Sequence, residues 1–321
     1  MTYLIVSLLL ALAQTQAQPP ALTRQPRHGG VYVVAHRGVH DGIPENTLAA
    51  YRRAIELGAD FVEIDLRETK DGHLVSIHDH TVDAYTQDAT GPVHEFTLAE
   101  LKALDIGRRV GPEWAEERIP TFEEILKLCK GNIGIYLDLK QGNVETILAT
   151  ARRFDMVHDI LWYAGTPLLR QLRELCPECH LMPDPGAEQN LSRILDAFAP
   201  RIVASVWRHI TESFVERCHE AGAIVIVDDG GPETWDTLLS WRVDGIQTDH
   251  VSGLIERLRQ VQSSGSPAAI RVTRARAGVS PPWSQRKTMV LSPSFSTGAS
   301  PSGVTSASSS PFLPYRRQPS M

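Results

Sequence analysis

Between residues 31 and 261 short apolar runs alternate with stretches whose apolar residues recur at helical spacing. That alternation is the mark of a parallel sheet whose strands are joined by crossover helices. The runs predict strands over 31–36, 61–66, 133–140, 160–164, 180–184, 202–207, 224–228 and 245–248. Helix starts are signalled between them: Asn46 ahead of 47–57, Thr121 with Glu124 three residues on ahead of 122–129, and Thr211 ahead of 212–221. Eight strands, each followed by a helix, predict an α/β fold of the closed (β/α)8 TIM-barrel kind. The length of this body suits that fold, which typically takes about 250 residues.

One segment breaks the alternation. After 61–66 the chain runs through Asp71-Gly72 into Leu74-Val75-Ser76-Ile77-His78, and Asp-Gly between alternating runs predicts a hairpin added after the second strand. A two-residue loop at Asp71-Gly72 would pair Asp65 with His78, Glu63 with His80 and Arg67 with Ser76, all on one face of the ribbon. On the strand over 133–140, alternation puts Tyr136, Asp138 and Lys140 on one side. The first strand ends in His36-Arg37-Gly38. In a (β/α)8 barrel the carboxyl ends of the strands surround one mouth, where the active site lies. His36, Arg37, Glu63, Asp65, His78, Asp138 and Lys140 all fall there.

The ends of the chain read differently. The apolar run Tyr3 to Ala13, followed by small residues, predicts a cleaved secretory signal over 1–17 and hence export, and it is too short for a membrane helix. Residues 18–30 read as a linker. The segment 262–321 is rich in Ser and Pro and holds seven basic residues with no acidic one, which predicts a disordered basic tail. The net charge of −6 gives no sign of nucleic-acid binding. Of four cysteines, Cys176 and Cys179 have the spacing of a pair of thiols or one short-range disulfide, and no second pair suggests zinc.

Three carboxylates converging on one mouth repel one another unless a cation is shared among them. An all-oxygen ligand set suits Mg²⁺ or Ca²⁺. Beside such an ion Arg37 and Lys140 would complement a phosphate ester, unless they serve only as salt-bridge partners of the carboxylates. His36 and His78 remain as a general acid and base.

These residues resemble the glycerophosphodiester phosphodiesterase family of PLC-like (β/α)8 phosphodiesterases. The likeness runs through His36-Arg37-Gly38, Pro44-Glu45-Asn46-Thr47, Glu63-Ile64-Asp65, Thr69-Lys70-Asp71-Gly72, His78-Asp79, Arg118-Ile119-Pro120-Thr121 and Asp244-Gly245-Ile246-Gln247-Thr248-Asp249, covering residues 31 to 258. The resemblance implies hydrolysis of small glycerophosphodiesters to glycerol 3-phosphate and an alcohol. It makes His36 and His78 the acid/base pair and Glu63, Asp65 and Asp138 the ligands of a divalent ion. Arg37 and Lys140 would contact the phosphate, with Glu45 also on the substrate side, and a neighbouring substrate hydroxyl can attack phosphorus to give a cyclic phosphate that water then opens. Trp207, near a strand end, is a candidate apolar wall for the substrate or a core residue.

Two positions depart from the family pattern. Asp138 stands where Glu is common, and Ile226-Val227-Asp228-Asp229 replaces a Trp-Thr-Val-Asn segment. The alternatives are a phosphodiesterase acting on lysophospholipid or sphingolipid, and a silent protein that only binds phosphate head groups.

Overall fold

The computed structural model describes residues 22 and 24–264. The signal segment over 1–17 and nearly all of the tail over 262–321 lie outside the described residues. Among the described residues nine strands form: β1 (Tyr32–Ala35), β2 (Phe61–Glu68), β3 (Leu74–Ser76), β4 (Gly134–Leu139), β5 (Ile160–Tyr163), β6 (His180–Leu181), β7 (Ile202–Val206), β8 (Ile224–Asp228) and β9 (Gly245–Thr248). Apart from β3 they lie in the order β6-β5-β4-β2-β1-β9-β8-β7, with parallel pairing at each ladder. The Ala204 amide donates to the Pro183 carbonyl at 3.0 Å, which links the two ends and nearly closes the barrel.

Alternation along each strand builds two apolar layers. Tyr32, Val34, Phe61, Tyr136, Leu161, Met182, Ile202, Ala204 and Ile226 fill the interior. Val33, Val62, Ile64, Ile135, Leu137, Val203, Val225 and Ile246 pack outward against the helices. Near-complete burial on both faces is what a parallel sheet requires. Part of the stretch read as a linker lies against the barrel. The Arg24 carbonyl accepts from Tyr32 Oη at 2.8 Å, and the Arg27 amide donates to buried Asp60 at 3.0 Å.

The helices over Phe122–Cys129 and Glu212–Glu220 start as expected, with Thr121 in a reciprocal capping box with Glu124 and Thr211 accepting from the Phe214 amide. The helix Leu48–Leu57 differs. Thr47, not Asn46, is its cap, accepting from the Ala50 amide. This frees Asn46, held at φ 54°, to turn its side chain elsewhere.

The hairpin is present with its register shifted by one. Leu66 pairs with Ser76, Arg67 with Val75 and Glu68 with Leu74, while the Ile77 amide donates to the Asp65 carbonyl. The loop holds three residues rather than two: Lys70, Asp71 and Gly72 lie between Thr69 and His73, whose amide and carbonyl meet at 2.8 Å, with Gly72 at φ 79°. A single-residue slip turns every side chain to the opposite face. Ser76 consequently faces Tyr51 rather than sharing a face with Arg67, and the expected pairs of Asp65 with His78 and Glu63 with His80 do not form. Beyond β3 the chain up to Ile119 packs a small core of its own around Val82, Tyr85, Val93, Leu101 and Ile106. Cys176 and Cys179 form a disulfide, and Cys129 and Cys218 are buried free thiols. Among the described residues no helix is long and apolar enough to cross a membrane.

Candidate active site

Parity and register assemble the site. On β2 the interior positions are Phe61, Glu63 and Asp65, and on β4 they are Gly134, Tyr136 and Asp138, continuing to Lys140 beyond the strand end. The parallel ladder sets Asp65 beside Asp138. Glu63 and Asp65 are buried and Asp138 is half-buried. Each of the three offers one oxygen, and these oxygens lie within 4.8 Å of one another. The expected acidic cluster is therefore present at the carboxyl rim.

Cations surround it. Lys140 Nζ lies 2.5 Å from Asp138 Oδ2 and 3.1 Å from Asp65 Oδ1. Arg37 reaches Asp65 with Nε at 3.7 Å and donates from Nη1 to Glu45 Oε1 at 3.2 Å. The Arg37 backbone, at φ 54°, turns its amide onto Glu63 Oε2 at 2.8 Å. Glu45 also accepts from Tyr85 Oη at 3.2 Å. Asn46 donates to Asp65 Oδ2 at 2.8 Å, while its own oxygen accepts from Tyr51 Oη and Ser76 Oγ, both at 2.9 Å.

The two histidines are each held at Nδ1. His36 Nδ1 lies 2.6 Å from Asp249 Oδ1, and His78 Nδ1 lies 2.8 Å from Asp79 Oδ1. Arg67 donates from Nη2 to the His78 carbonyl at 2.6 Å, fixing the backbone where it leaves the hairpin. His36 is within electrostatic reach of Asp138, and His78 of Asp65, so both lie near the same carboxylate cluster. A carboxylate on one ring nitrogen settles which nitrogen faces the reaction.

Charge crowding is visible in the acidities. Burial, and then the charges of Asp65 and Asp138, push Glu63 well above the usual carboxylate range. Burial outweighs the attraction of Lys140 at Asp138, which is pushed up to about 6. Burial also opposes ionisation of Asp65, but Lys140, His78 and Arg37 together hold it below its ordinary value. His78 is lowered chiefly by burial, against the pull of Asp65. The donor set fits a hard divalent cation. It consists of oxygens only, and Asp65 Oδ1 is buried without accepting a hydrogen bond.

The structure thus brings together His36, Arg37, Glu45, Glu63, Asp65, His78, Asp138 and Lys140. Trp207 follows β7 at the same rim, where its ring stacks on Trp241 at 5.8 Å between centroids and packs with the outer layer. His80 is exposed and contributes only its backbone carbonyl, which accepts from Val93. Two residues of the site, Asp249 and Asn46, are not among the candidate site residues that the sequence offers. Asp249 follows β9, whose interior positions are Gly245 and Gln247, and the β1–β9 register of Ala35 with Thr248 sets it beside His36. Strand parity alone would have found it. Asn46 was hidden behind its apparent role as a helix cap.

A nearly closed parallel barrel carrying three carboxylates, two cations and two carboxylate-held histidines at its carboxyl rim defines a class, the (β/α)8 hydrolases of phosphate diesters. Residues 36–164 match the profile of the glycerophosphoryl diester phosphodiesterase family. The chain is 33% identical over 243 residues to the glycerophosphodiester phosphodiesterase of Caldanaerobacter subterraneus subsp. tengcongensis, spanning 71% of this chain and 98% of that protein. Among solved structures, a glycerophosphodiester phosphodiesterase from Agrobacterium tumefaciens superposes with a TM-score of 0.65 at 27% identity, covering 70% of this chain and 99% of the other. A phosphodiesterase from Oleispira antarctica, solved in complex with the product sn-glycerol-3-phosphate, gives 0.66 at 25% identity over 71% and 96%. The chain belongs to the glycerophosphoryl diester phosphodiesterase family and is a phosphoric diester hydrolase.

Proposed function

We propose that the chain hydrolyses small glycerophosphodiesters to glycerol 3-phosphate and an alcohol, using a divalent ion and a pair of histidines. The observation that carries this reading is the convergence of Glu63, Asp65 and Asp138 within 4.8 Å beside Lys140 and Arg37, with two carboxylate-held histidines within electrostatic reach of them. Glu63, Asp65 and Asp138 would hold the ion. When bound, it would draw charge from a phosphoryl oxygen and make phosphorus more open to attack.

The chain's own residues carry the rest. Arg37 and Lys140 place two positive charges where the phosphate enters, and both are anchored by carboxylates, so little reorganisation is needed as charge develops. One histidine takes the proton of the substrate's attacking hydroxyl while the other gives a proton to the departing alkoxide, so the alcohol leaves neutral and a cyclic phosphate remains, which water then opens to glycerol 3-phosphate with the two histidines exchanging roles. With Nδ1 of each ring turned to a carboxylate, Nε2 is the nitrogen free for that exchange. Proton transfer of this kind contributes roughly 10²- to 10⁴-fold.

Product analysis with glycerophosphocholine and lysophosphatidylcholine, before and after chelation, tests the reading. We expect glycerol 3-phosphate from the first substrate, no turnover after chelation, and recovery with added Mg²⁺ or Ca²⁺. Full turnover in the chelated protein, or release of head group from the lysolipid alone, would overturn it.

A further inference from the structure

A second set of metal-type donors lies at the same rim, outside the carboxylate cluster. Three residues separate His36 from His40, and the loop between them folds back tightly, with Arg37 at φ 54°, Gly38 at φ 81° and the Gly38 amide on the Ala35 carbonyl at 3.1 Å. Both rings come to rest on one oxygen. Asp249 Oδ1 is 2.6 Å from His36 Nδ1 and 3.0 Å from His40 Nε2, the ring centroids are 6.4 Å apart, and one donor atom from each residue lies within 4.8 Å of the others.

Two imidazole nitrogens and a carboxylate form a different ligand set from the three carboxylates. Oxygen-only donors suit Mg²⁺ or Ca²⁺, whereas two histidines and an aspartate suit Zn²⁺, whose catalytic-type sites use three such ligands and leave a fourth position open. The local field favours a cation: Glu45 lies within electrostatic reach of His40, and Asp228 of both His36 and Asp249, with Arg37 as the opposing charge. Donors around Zn²⁺ at bond lengths of about 2.0–2.2 Å sit roughly 3.3 Å apart. The His40 contact needs to open by about 0.3 Å and the His36 contact by about 0.7 Å, and the Asp249 side chain, 51% exposed, has room to swing.

We propose that His36 Nδ1, His40 Nε2 and Asp249 form a second cation site, selective for Zn²⁺, whose occupation switches the enzyme off. Zinc on Nδ1 displaces that ring proton, which passes through solvent to Nε2. The ring then carries its one proton on the nitrogen facing the substrate and has no lone pair there to accept another. The inhibition rests on the acid/base role proposed for His36. The binding of zinc does not.

The test uses the full chain saturated with Mg²⁺. Zn²⁺ is titrated into the glycerophosphocholine assay and, separately, into a calorimeter, for the wild type and for His40→Gln and His40→Asn. The expected result is saturable inhibition and one zinc site in the wild type. Both variants keep basal turnover within about twofold, need at least about tenfold more zinc for inhibition, and lose the calorimetric site. Equal sensitivity of wild type and variants would place zinc on the carboxylate cluster and overturn the proposal, as would the absence of any saturable zinc site in the Mg²⁺-saturated wild type. A chain that hydrolyses no glycerophosphodiester overturns the proposed function, and the calorimetric comparison then decides the zinc site by itself.

Discussion

At the scale of single residues, the site shows how a buried acidic cluster is kept in order by neighbours that do no chemistry. Asn46 takes an αL backbone so that its amide can hold Asp65 Oδ2 while its oxygen satisfies Tyr51 and Ser76. Asn46→Ala is expected to weaken divalent-ion binding by roughly 10- to 100-fold, the usual effect of removing a group that orients a ligand. It should also cost about 1–3 kcal/mol of stability, because two buried hydroxyls lose their acceptor. Calorimetric metal titration and a denaturant melt of the same variant separate the two effects. The acidities add a pH dependence with a definite sign. Asp138, at about 6, takes up a proton as pH falls toward 5 in the ion-free protein, and Glu63, held well above its ordinary value, takes one up at a higher pH than a free carboxylate does. An entering ion must displace those protons, so affinity falls on the acid side by about tenfold per pH unit for each proton displaced. Titrations at pH 5 and pH 7 in buffers of different ionisation enthalpy measure both the loss and the protons released, and an affinity independent of pH over that interval would contradict the assignment.

At the scale of elements, function depends on the places where strands stop. Gly38 turns the chain immediately after His36 and Arg37 at φ 81°, and a Cβ there would lie 2.7 Å from Ala50 Cβ and 2.8 Å from the Ala50 backbone carbon. Gly38→Ala combines a left-handed penalty of about 1–2 kcal/mol with a clash against a helix that cannot easily yield. It is expected to lower the melting temperature and to reduce turnover more than stability alone explains, because it displaces both neighbouring residues; a variant with unchanged melting temperature and turnover would refute this. The eight barrel strands were legible because buried parallel strands are nearly continuous apolar runs, and the carboxylates because the side-chain period of two is rigid. The hairpin was legible in kind but not in register, since Asp-Gly serves two-residue and three-residue loops alike and one residue decides which face a side chain takes. Asp249 stayed without a role, and Asn46 was read only as a helix start, because what they do is set by contacts across 213 and 19 residues of chain.

At the scale of the molecule, eight parallel strands drawn from most of the described chain point their carboxyl ends at one rim, so residues remote in sequence share one field. The acidic cluster is tolerable there because Lys140 and Arg37 lie against it, and a divalent ion would complete the balance. The most direct test is anomalous diffraction from crystals of the protein grown with Mn²⁺, whose preference for carboxylate oxygens matches the site. The account predicts a peak at coordination distance from Glu63, Asp65 and Asp138 together. A rim with no ion at those three carboxylates, in crystals that bind Mn²⁺ elsewhere, would contradict it.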